Sequence, residues 1–312
     1  MTTLILIIGL IILTAGAELL VRGASRIAGK LGLSSLVIGL TVVAFGTSAP
    51  ELAVSVKAAL SGQGGISLGN IVGSNIFNVA AILGIAAMIC PLAVNLDIIK
   101  RDMPIMLGAS LLFVFFVRSS GRLDRWEGLI LFALILIYVF WTVRRAGTEK
   151  TNLVVTETVS TTPTNYSLPL SIFLTLAGLG MLLFGAKLFV DSAVSIARLL
   201  GWSEAAIGLT IVAAGTSLPE LATSVVASLR RQTDMAIGNV VGSNIFNLLC
   251  IGGVSGSLSS IDSGGLGWID LGAMLLTSLL LLPLMRTGFR LNRIEGGLLF
   301  GAFLFYLWLI WP

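Results

Sequence analysis

A long stretch of this chain is written twice. GAELLVRGASRIAGKLGLSSLVIGLTVVAFGTSAPEL begins at Gly16, and GAKLFVDSAVSIARLLGWSEAAIGLTIVAAGTSLPEL begins at Gly185. A second pair, GNIVGSNIFN from Gly69 and GNVVGSNIFN from Gly238, keeps the same offset of 169 residues. An ungapped correspondence over some sixty residues is a duplication. Any fold for this chain therefore needs two like halves.

What each half folds into follows from its solubility. Hydrophobic residues make up 56% of the 312-residue chain and charged residues 11%, against about 25% charged in soluble domains. Mean hydropathy is +1.02. That is too little polar surface to cover a water-soluble globule, so the chain reads as an integral membrane protein. The net charge of +4 does not indicate nucleic acid, because the basic residues sit singly or in pairs between apolar runs, where they orient spans.

A helix needs about 20 apolar residues to cross the hydrocarbon. Ten segments approach that length, at 3–28, 35–60, 66–89, 103–118, 126–145, 168–198, 204–229, 235–258, 269–286 and 293–311. The first has no basic lead-in and no cleavage signature, so it reads as a retained helix. The one long polar stretch, 146–167, is Thr-rich and reads as a linker. The expected organisation is an all-α membrane protein with ten transmembrane helices in two inverted five-helix repeats. Residues 1–145 form the first repeat (motif 39–84), 146–167 the linker, and 168–312 the second repeat (motif 208–253). The inversion follows from five being odd, and inverted repeats place a substrate site near the midplane between them.

Orientation comes from Lys and Arg. With the N-terminus outside, thirteen fall on the cytoplasmic side: Arg22, Arg26, Lys30, Lys100, Arg101, Arg144, Arg145, Lys150, Arg230, Arg231, Arg286, Arg290 and Arg293. Five fall outside: Lys57, Arg118, Arg122, Arg125 and Arg198. Both termini are expected outside and the 146–167 linker in the cytoplasm, in a plasma (inner) membrane.

The chain has no histidine, which removes histidine-based catalysis, proton relays and metal sites. Cys90 and Cys250 lie in different apolar runs without CxxC spacing and read as packing residues.

The acids that lie inside spans carry the chemistry. A carboxylate at mid-span costs roughly 2.5–3.5 kcal/mol on insertion scales, so such acids are functional candidates. Glu51 and Glu220 occupy matching positions, framed as Gly46-Thr47-Ser48-Ala49-Pro50-Glu51 and Gly215-Thr216-Ser217-Leu218-Pro219-Glu220. Each proline lacks an N–H and frees a carbonyl four residues back, which is tolerated at membrane depth only beside a cavity or ion. Thr47, Glu51 and Ser55 share a face, as do Thr216, Glu220 and Ser224, and Ser48 and Ser217 join them. Asn70, Ser74 and Asn78 add a second polar face, mirrored by Asn239, Ser243 and Asn247. An all-oxygen set with two negative charges suits hard cations, Ca²⁺ or Na⁺.

Several of these residues have plainer readings. Ser55 and Ser224 are open between backbone back-bonding and the site, and Asn70 and Asn239 read as interhelical glue. Glu18 with Arg22, and Lys187 with Asp191, read as i, i+4 ion pairs. Asp97, Asp102, Asp124, Glu127 and Glu295 fall at span ends and read as solvated.

GTSAPEL with GNIVGSNIFN, repeated as GTSLPEL with GNVVGSNIFN, resembles the α-repeats of the sodium/calcium exchanger family, within the cation/calcium antiporters of prokaryotic type. The resemblance covers nearly the whole chain. It implies that Glu51 and Glu220 bind Ca²⁺ and Na⁺ competitively. It implies that the hydroxyls of Thr47, Ser48, Ser74, Thr216, Ser217 and Ser243, with the carbonyls of Ala44 and Ala213, complete the sodium sites. It places the amide of Asn78 centrally, with Asn247 as its counterpart, and has the first long helix of each half slide against the rest. Several exchangers carry an aspartate where Asn247 stands, so the analogy with potassium-dependent members is weakened. The linker is too short for a calcium-sensing domain.

The function expected is a Ca²⁺/Na⁺ antiporter rather than an enzyme, with Ca²⁺ and Na⁺ as transported ions and no cofactor. The bilayer is its surroundings, and neither nucleic acid nor an obligatory protein partner is expected. A Ca²⁺/H⁺ antiporter is the nearest alternative. A cation channel fits broken inverted repeats less well, and an intramembrane hydrolase lacks a histidine to orient a nucleophile.

Overall fold

The structure, a computed structural model, describes residues 2–149, 167–201, 213–263 and 266–310. The first half contributes α1 (Thr2–Leu31), α2 (Ser35–Thr47), α3 (Ala49–Leu60), α4 (Gly64–Ile89), α5 (Ile98–Ser119) and α6 (Arg125–Glu149). The second contributes α7 (Leu168–Leu199), α8 (Ala213–Thr216), α9 (Leu218–Leu229), α10 (Thr233–Leu258), α11 (Trp268–Arg286) and α12 (Arg293–Ile310). Among the described residues, eight helices are long and apolar enough to cross a membrane, and nine spans result if the bent pair α2–α3 counts as one. The expected span 204–229 is described only from residue 213, and the linker only at its edges. There α6 runs on to Glu149, past the point where the linker was expected to start.

The helices start where the side chains dictate. Ser34 accepts a hydrogen bond from the Val37 N–H at the head of α2, and Ser167 does the same for Leu170 at the head of α7, each satisfying an otherwise unpaired amide. α4 and α10 lie in the middle, buried over 78% and 94% of their most apolar stretches. α1, α6, α7, α11 and α12 surround them and present Ile11, Phe140, Phe173, Leu276 and Leu304 outward. In hydrocarbon such a surface needs no further cover.

α1 and α7 pack along each other with numbering running in opposite senses. A Cβ on Gly16 would meet the Leu182 N at 2.5 Å, and one on Gly178 would meet the Leu20 N at 2.4 Å. Gly9 and Gly185 meet in the same way one heptad further along. Two backbones can approach this closely only where no side chain intervenes.

Four two-residue strands clip the halves together. β1 (Leu92–Ala93) pairs antiparallel with β4 (Arg290–Leu291), and β2 (Arg122–Leu123) with β3 (Ile261–Asp262). β3 is the repeat counterpart of β1 and β4 that of β2, so the two clips are the same contact with the halves exchanged. Leu92, Leu123, Ile261 and Leu291 are all essentially inaccessible.

Three expectations about charge are corrected. Asp102 is buried and accepts a hydrogen bond from Tyr138 Oη at 3.2 Å, a pairing repeated by Tyr306 and Asp270 at 2.9 Å. Glu295 is also buried, capping its own helix by accepting from the Asn292 N–H at 2.8 Å. Both are satisfied inside the protein, so neither needs water. Glu18 does pair with Arg22, but it is also bonded by Arg230 from beyond α9. No ion pair joins Lys187 and Asp191 among the described residues.

Candidate functional site

The two glutamates sit where their helices break. Pro50 and Pro219 occupy the first turns of α3 and α9, and neither can donate to the carbonyl four residues back. Ser48 and Ser217, at the joints, adopt φ/ψ of −81°/6° and −92°/10°, in the sparsely used bridge region that functional residues often occupy. α2 and α3 are bent by 47° across this joint. Each new helix then starts with its glutamate in the first turn, where the positive end of the helix dipole favours a carboxylate.

Both glutamates are buried, Glu51 1% and Glu220 0% exposed. Each is held from the opposite half. Ser217 Oγ donates to Glu51 Oε1 at 2.8 Å, and Ser48 Oγ donates to Glu220 Oε1 at 3.0 Å. The sequence put each serine on the face of its own glutamate, whereas the structure exchanges them. Ser217 Oγ also lies 3.3 Å from Ser74 Oγ. The second oxygens, Glu51 Oε2 and Glu220 Oε2, are buried with no partner among the described residues.

Further oxygens come from widened turns. Asn78 lies in a π-helical turn at Phe77–Ile82 and Asn247 in its counterpart at Phe246–Ile251. A third such turn, Gly39–Val43, precedes Ala44. Turns of this kind break the regular ladder and recur at functional sites. Asn78 Oδ1, Ser243 Oγ and both polar atoms of Asn247 are buried without a partner among the described residues. Thr47 Oγ1 lies 3.3 Å from both the Ala44 carbonyl and Asn239 Oδ1. The Ala44 carbonyl also accepts the Ser48 N–H at 3.0 Å. Thr216 is half-buried in α8, and Ala213 starts that helix at the edge of the described residues.

Sequence reasoning missed Asn244 and the main-chain carbonyl of residue 75 that holds it. Asn78 Nδ2 donates to Asn244 Oδ1 at 3.1 Å, and Asn244 Nδ2 to the Asn75 carbonyl at 3.3 Å, joining α4 to α10. The signal lay in the duplicated GSN triplets, but helical spacing from Asn70 selected the other asparagines. No back-bond from Ser55 or Ser224 to its own helix is among the described hydrogen bonds. Both accept from an asparagine, Asn70 Nδ2 at 2.9 Å and Asn239 Nδ2 at 3.0 Å.

Buried polar atoms in folded proteins are almost always paired, so a cluster of unpaired ones marks a place that receives something. On the duplicated motifs the unpaired atoms are two carboxylate oxygens, two amide oxygens, one amide nitrogen and a hydroxyl. Among the described residues no three Asp, Glu, Cys or His side chains gather elsewhere to hold a metal. A donor set without nitrogen or sulfur ligands fits a hard cation.

Comparison with known proteins agrees over the whole length. The family model described as "Sodium/calcium exchanger protein" matches residues 1–144 and 170–311, which include both glutamates. The chain is 39% identical to the putative antiporter CaxA of Alkalimonas amylolytica, over 99% of this chain and 98% of that protein. It is 36% identical to the sodium/calcium exchanger MaX1 of Methanosarcina acetivorans, over 97% of each. A solved structure of the sodium-calcium exchanger NCX_Mj, soaked with Na⁺ and Ca²⁺, superposes with a TM-score of 0.84 at 32% identity, covering 100% of this chain and 98% of that one.

Proposed function

The chain belongs to the sodium/calcium exchanger family, and from that premise we propose that it exchanges Ca²⁺ for Na⁺ across the membrane, with Glu51 and Glu220 as ligands shared by both ions. It is a multi-pass membrane transporter of the cation/Ca²⁺ antiporter kind. The observation that carries the finer reading is the pair of carboxylate oxygens, Glu51 Oε2 and Glu220 Oε2, that are buried without a partner among the described residues, as are Asn78 Oδ1, Asn247 Oδ1 and Ser243 Oγ. An ionised carboxylate in a poorly solvated interior is costly unless a cation compensates it. One Ca²⁺ balances two such charges, and so do two Na⁺. Either ion therefore satisfies the site, while both together overfill it. That is the physical basis of competition, and hence of exchange.

The proposed ligand set is Glu51, Glu220, Thr47, Ser48, Ser74, Asn78, Thr216, Ser217, Ser243 and Asn247, with the carbonyls of Ala44 and Ala213. Ca²⁺ takes 6–8 oxygens, so it uses a subset, with Na⁺ drawing on the neutral oxygens at the margins. Ser48 and Ser217 each bond the opposite half's glutamate, so a shift of one half against the other changes both carboxylates at once. The proposed architecture is ten spans in two inverted repeats, 1–145 and 168–312, joined by a cytoplasmic linker. The antiparallel α1–α7 pair and the exchanged strand clips support it. α1 and α7 are proposed to slide together, opening the site to either side in turn.

The test is uptake of radioactive Ca²⁺ into proteoliposomes loaded with Na⁺, with K⁺, or carrying only a pH gradient. Na⁺-loaded vesicles should accumulate Ca²⁺. Accumulation driven by the pH gradient alone, with none driven by Na⁺, would assign proton coupling instead. Uptake that shows no counterflow would indicate a channel.

A further inference from the structure

The charge argument explains what the two carboxylates bind but not what aims them. Each glutamate stands in the first turn after a break, so no preceding helical turn fixes how that turn is rotated. An asparagine from the neighbouring helix bonds each turn directly. Asn70 Nδ2, on α4, donates to the Glu51 carbonyl at 3.2 Å and to Ser55 Oγ at 2.9 Å. Asn239 Nδ2, on α10, donates to the Glu220 carbonyl at 3.4 Å and to Ser224 Oγ at 3.0 Å. A side-chain NH₂ has two hydrogens, and here both go to one stretch of one helix: the glutamate's own carbonyl and the hydroxyl a turn further on. The position of that carbonyl about the helix axis fixes where the same residue's Cα–Cβ bond points.

We propose that Asn70 and Asn239 are positioning residues for ion exchange, each locking the rotation of the broken helix that carries the neighbouring glutamate, so that the carboxylate faces the ion. The role rests on the reading of Glu51 and Glu220 as ligands. Ser55 and Ser224 serve as the far anchors of the two locks.

The locks are not equivalent. Asn239 is fully buried, and its free oxygen Oδ1 lies 3.3 Å from Thr47 Oγ1 of the first half. It therefore joins the broken span of one half to the glutamate turn of the other. Asn70 is half-buried. Loss of Asn239 should misplace Glu220 and loosen Thr47 together, so its effect should be the larger.

The distinguishing control is Asn75, a comparably buried amide whose Nδ2 donates to the Ile71 carbonyl of its own helix at 2.7 Å and makes no described hydrogen bond to either glutamate turn. The measurement is Na⁺-driven Ca²⁺ uptake into proteoliposomes as a function of Ca²⁺ concentration, on protein shown to be folded by gel filtration. Asn239→Ala should raise the KM for Ca²⁺ about tenfold and Asn70→Ala about threefold, with maximal rates held within about twofold. Asn75→Ala should keep the wild-type KM. Asn239→Ala/Ser224→Ala should be no worse than Asn239→Ala alone, because the serine acts only through the amide. An unchanged KM in Asn239→Ala while Glu220→Gln is inactive would overturn the positioning role and leave the ligand reading standing. So would an equal rise in Asn75→Ala. Full transport by Glu220→Gln would remove the ligand reading, and the positioning role with it. Should Asn239→Ala not yield folded protein, Ser224→Ala decides: a rise in KM of about twofold supports the lock, and an unchanged KM overturns it.

Discussion

A carboxylate in a membrane interior has three ways to exist: paired, protonated, or holding a cation. Glu51 and Glu220 are each paired at one oxygen, by a serine, and open at the other. Glu51→Gln and Glu220→Gln keep the size and the serine bond but remove one of two charges matched to a divalent ion. Each should lower Na⁺-driven Ca²⁺ uptake by at least about a hundredfold, since unpairing a buried ion costs several kcal/mol. Gel filtration should still show folded protein, because the serine bond survives. Near-wild-type uptake by either variant would remove that residue from the site. Asn247 makes a finer test. Both of its polar atoms are buried and unpartnered among the described residues, so Asn247→Asp breaks no described bond and changes the charge. With two carboxylates the proposed site balances one Ca²⁺ and has no third acid for K⁺. Wild-type exchange should therefore proceed without K⁺, and Asn247→Asp should shift ion affinity or pH response without abolishing flux. Strict K⁺ dependence in the wild type would defeat the charge count. The glutamates were legible in the sequence because an acid in an apolar run is conspicuous. Their crossed serine partners were not, because helical spacing reports the face a residue shares and not which half it meets. Asp102 and Glu295 were misread for a related reason: their satisfying partners, Tyr138 and the Asn292 amide, are ordinary residues that composition does not flag.

The proline breaks were legible, since Pro50 and Pro219 stand four residues after Gly46 and Gly215, where the helix loses a hydrogen bond beside a flexible residue. The π-helical turns at Phe77–Ile82 and Phe246–Ile251 were not, because a single widened turn leaves no mark on hydrophobic periodicity. The α1–α7 seam is the element whose mechanics are most exposed to test. A Cβ at Gly16 would lie 2.5 Å from a backbone nitrogen, which no rotamer change relieves. Gly16→Val should push the two helices apart, lower the melting temperature in detergent, and slow exchange, at a cost of about 1–3 kcal/mol. Gly180 is the control, on α7 but with no described atom within 4 Å of its would-be Cβ. Gly180→Ala should be neutral or slightly stabilising, as alanine is the better helix former by up to about 1 kcal/mol. Equal melting temperatures and rates for both variants would show that the seam is not tightly packed. α1 is also tied on one side to the turn after α9, by Arg230 to Glu18 and by Ser25 Oγ to Gln232 Oε1 at 2.5 Å. At the repeat-related positions stand Lys187 and Ser61, so the ion pair has no counterpart in the other half. Such partly exposed ion pairs are worth about 0–1 kcal/mol, and Arg230→Gln should lower the melting temperature only slightly.

At the scale of the whole molecule, three independent observations bear on which side of the membrane each loop occupies. The first is the distribution of Lys and Arg, thirteen against five, which favours an outside N-terminus. The second is the α1–α7 pair: the first helices of two halves related by a duplication run in opposite senses, as an odd number of spans per half requires. The third is the strand clips. β1 follows the third expected span and β4 the ninth, both odd-numbered, so both strands lie on the cytoplasmic side if the N-terminus is outside. β2 and β3 follow the fourth and eighth spans and fall on the outer side together. Antiparallel pairing of Leu92 with Leu291 and of Leu123 with Ile261 is possible only if the loops in each pair share a side, which any odd span count between them would forbid. The clips therefore tie the relative sidedness of four loops, and the proposed absolute sense, with the N-terminus outside, rests on the charge bias. A reporter active only in the cytoplasm should be silent at either terminus and active within 146–167. A cysteine at position 264 should react with an impermeant thiol reagent added outside, and one at position 95 should not. A cytoplasmic N-terminus with the clip pairing intact would invert the assignment of every loop and leave the repeat standing. A terminus and the linker on the same side would break the five-span count itself, and with it the proposal that the two glutamates enter the site from oppositely directed halves.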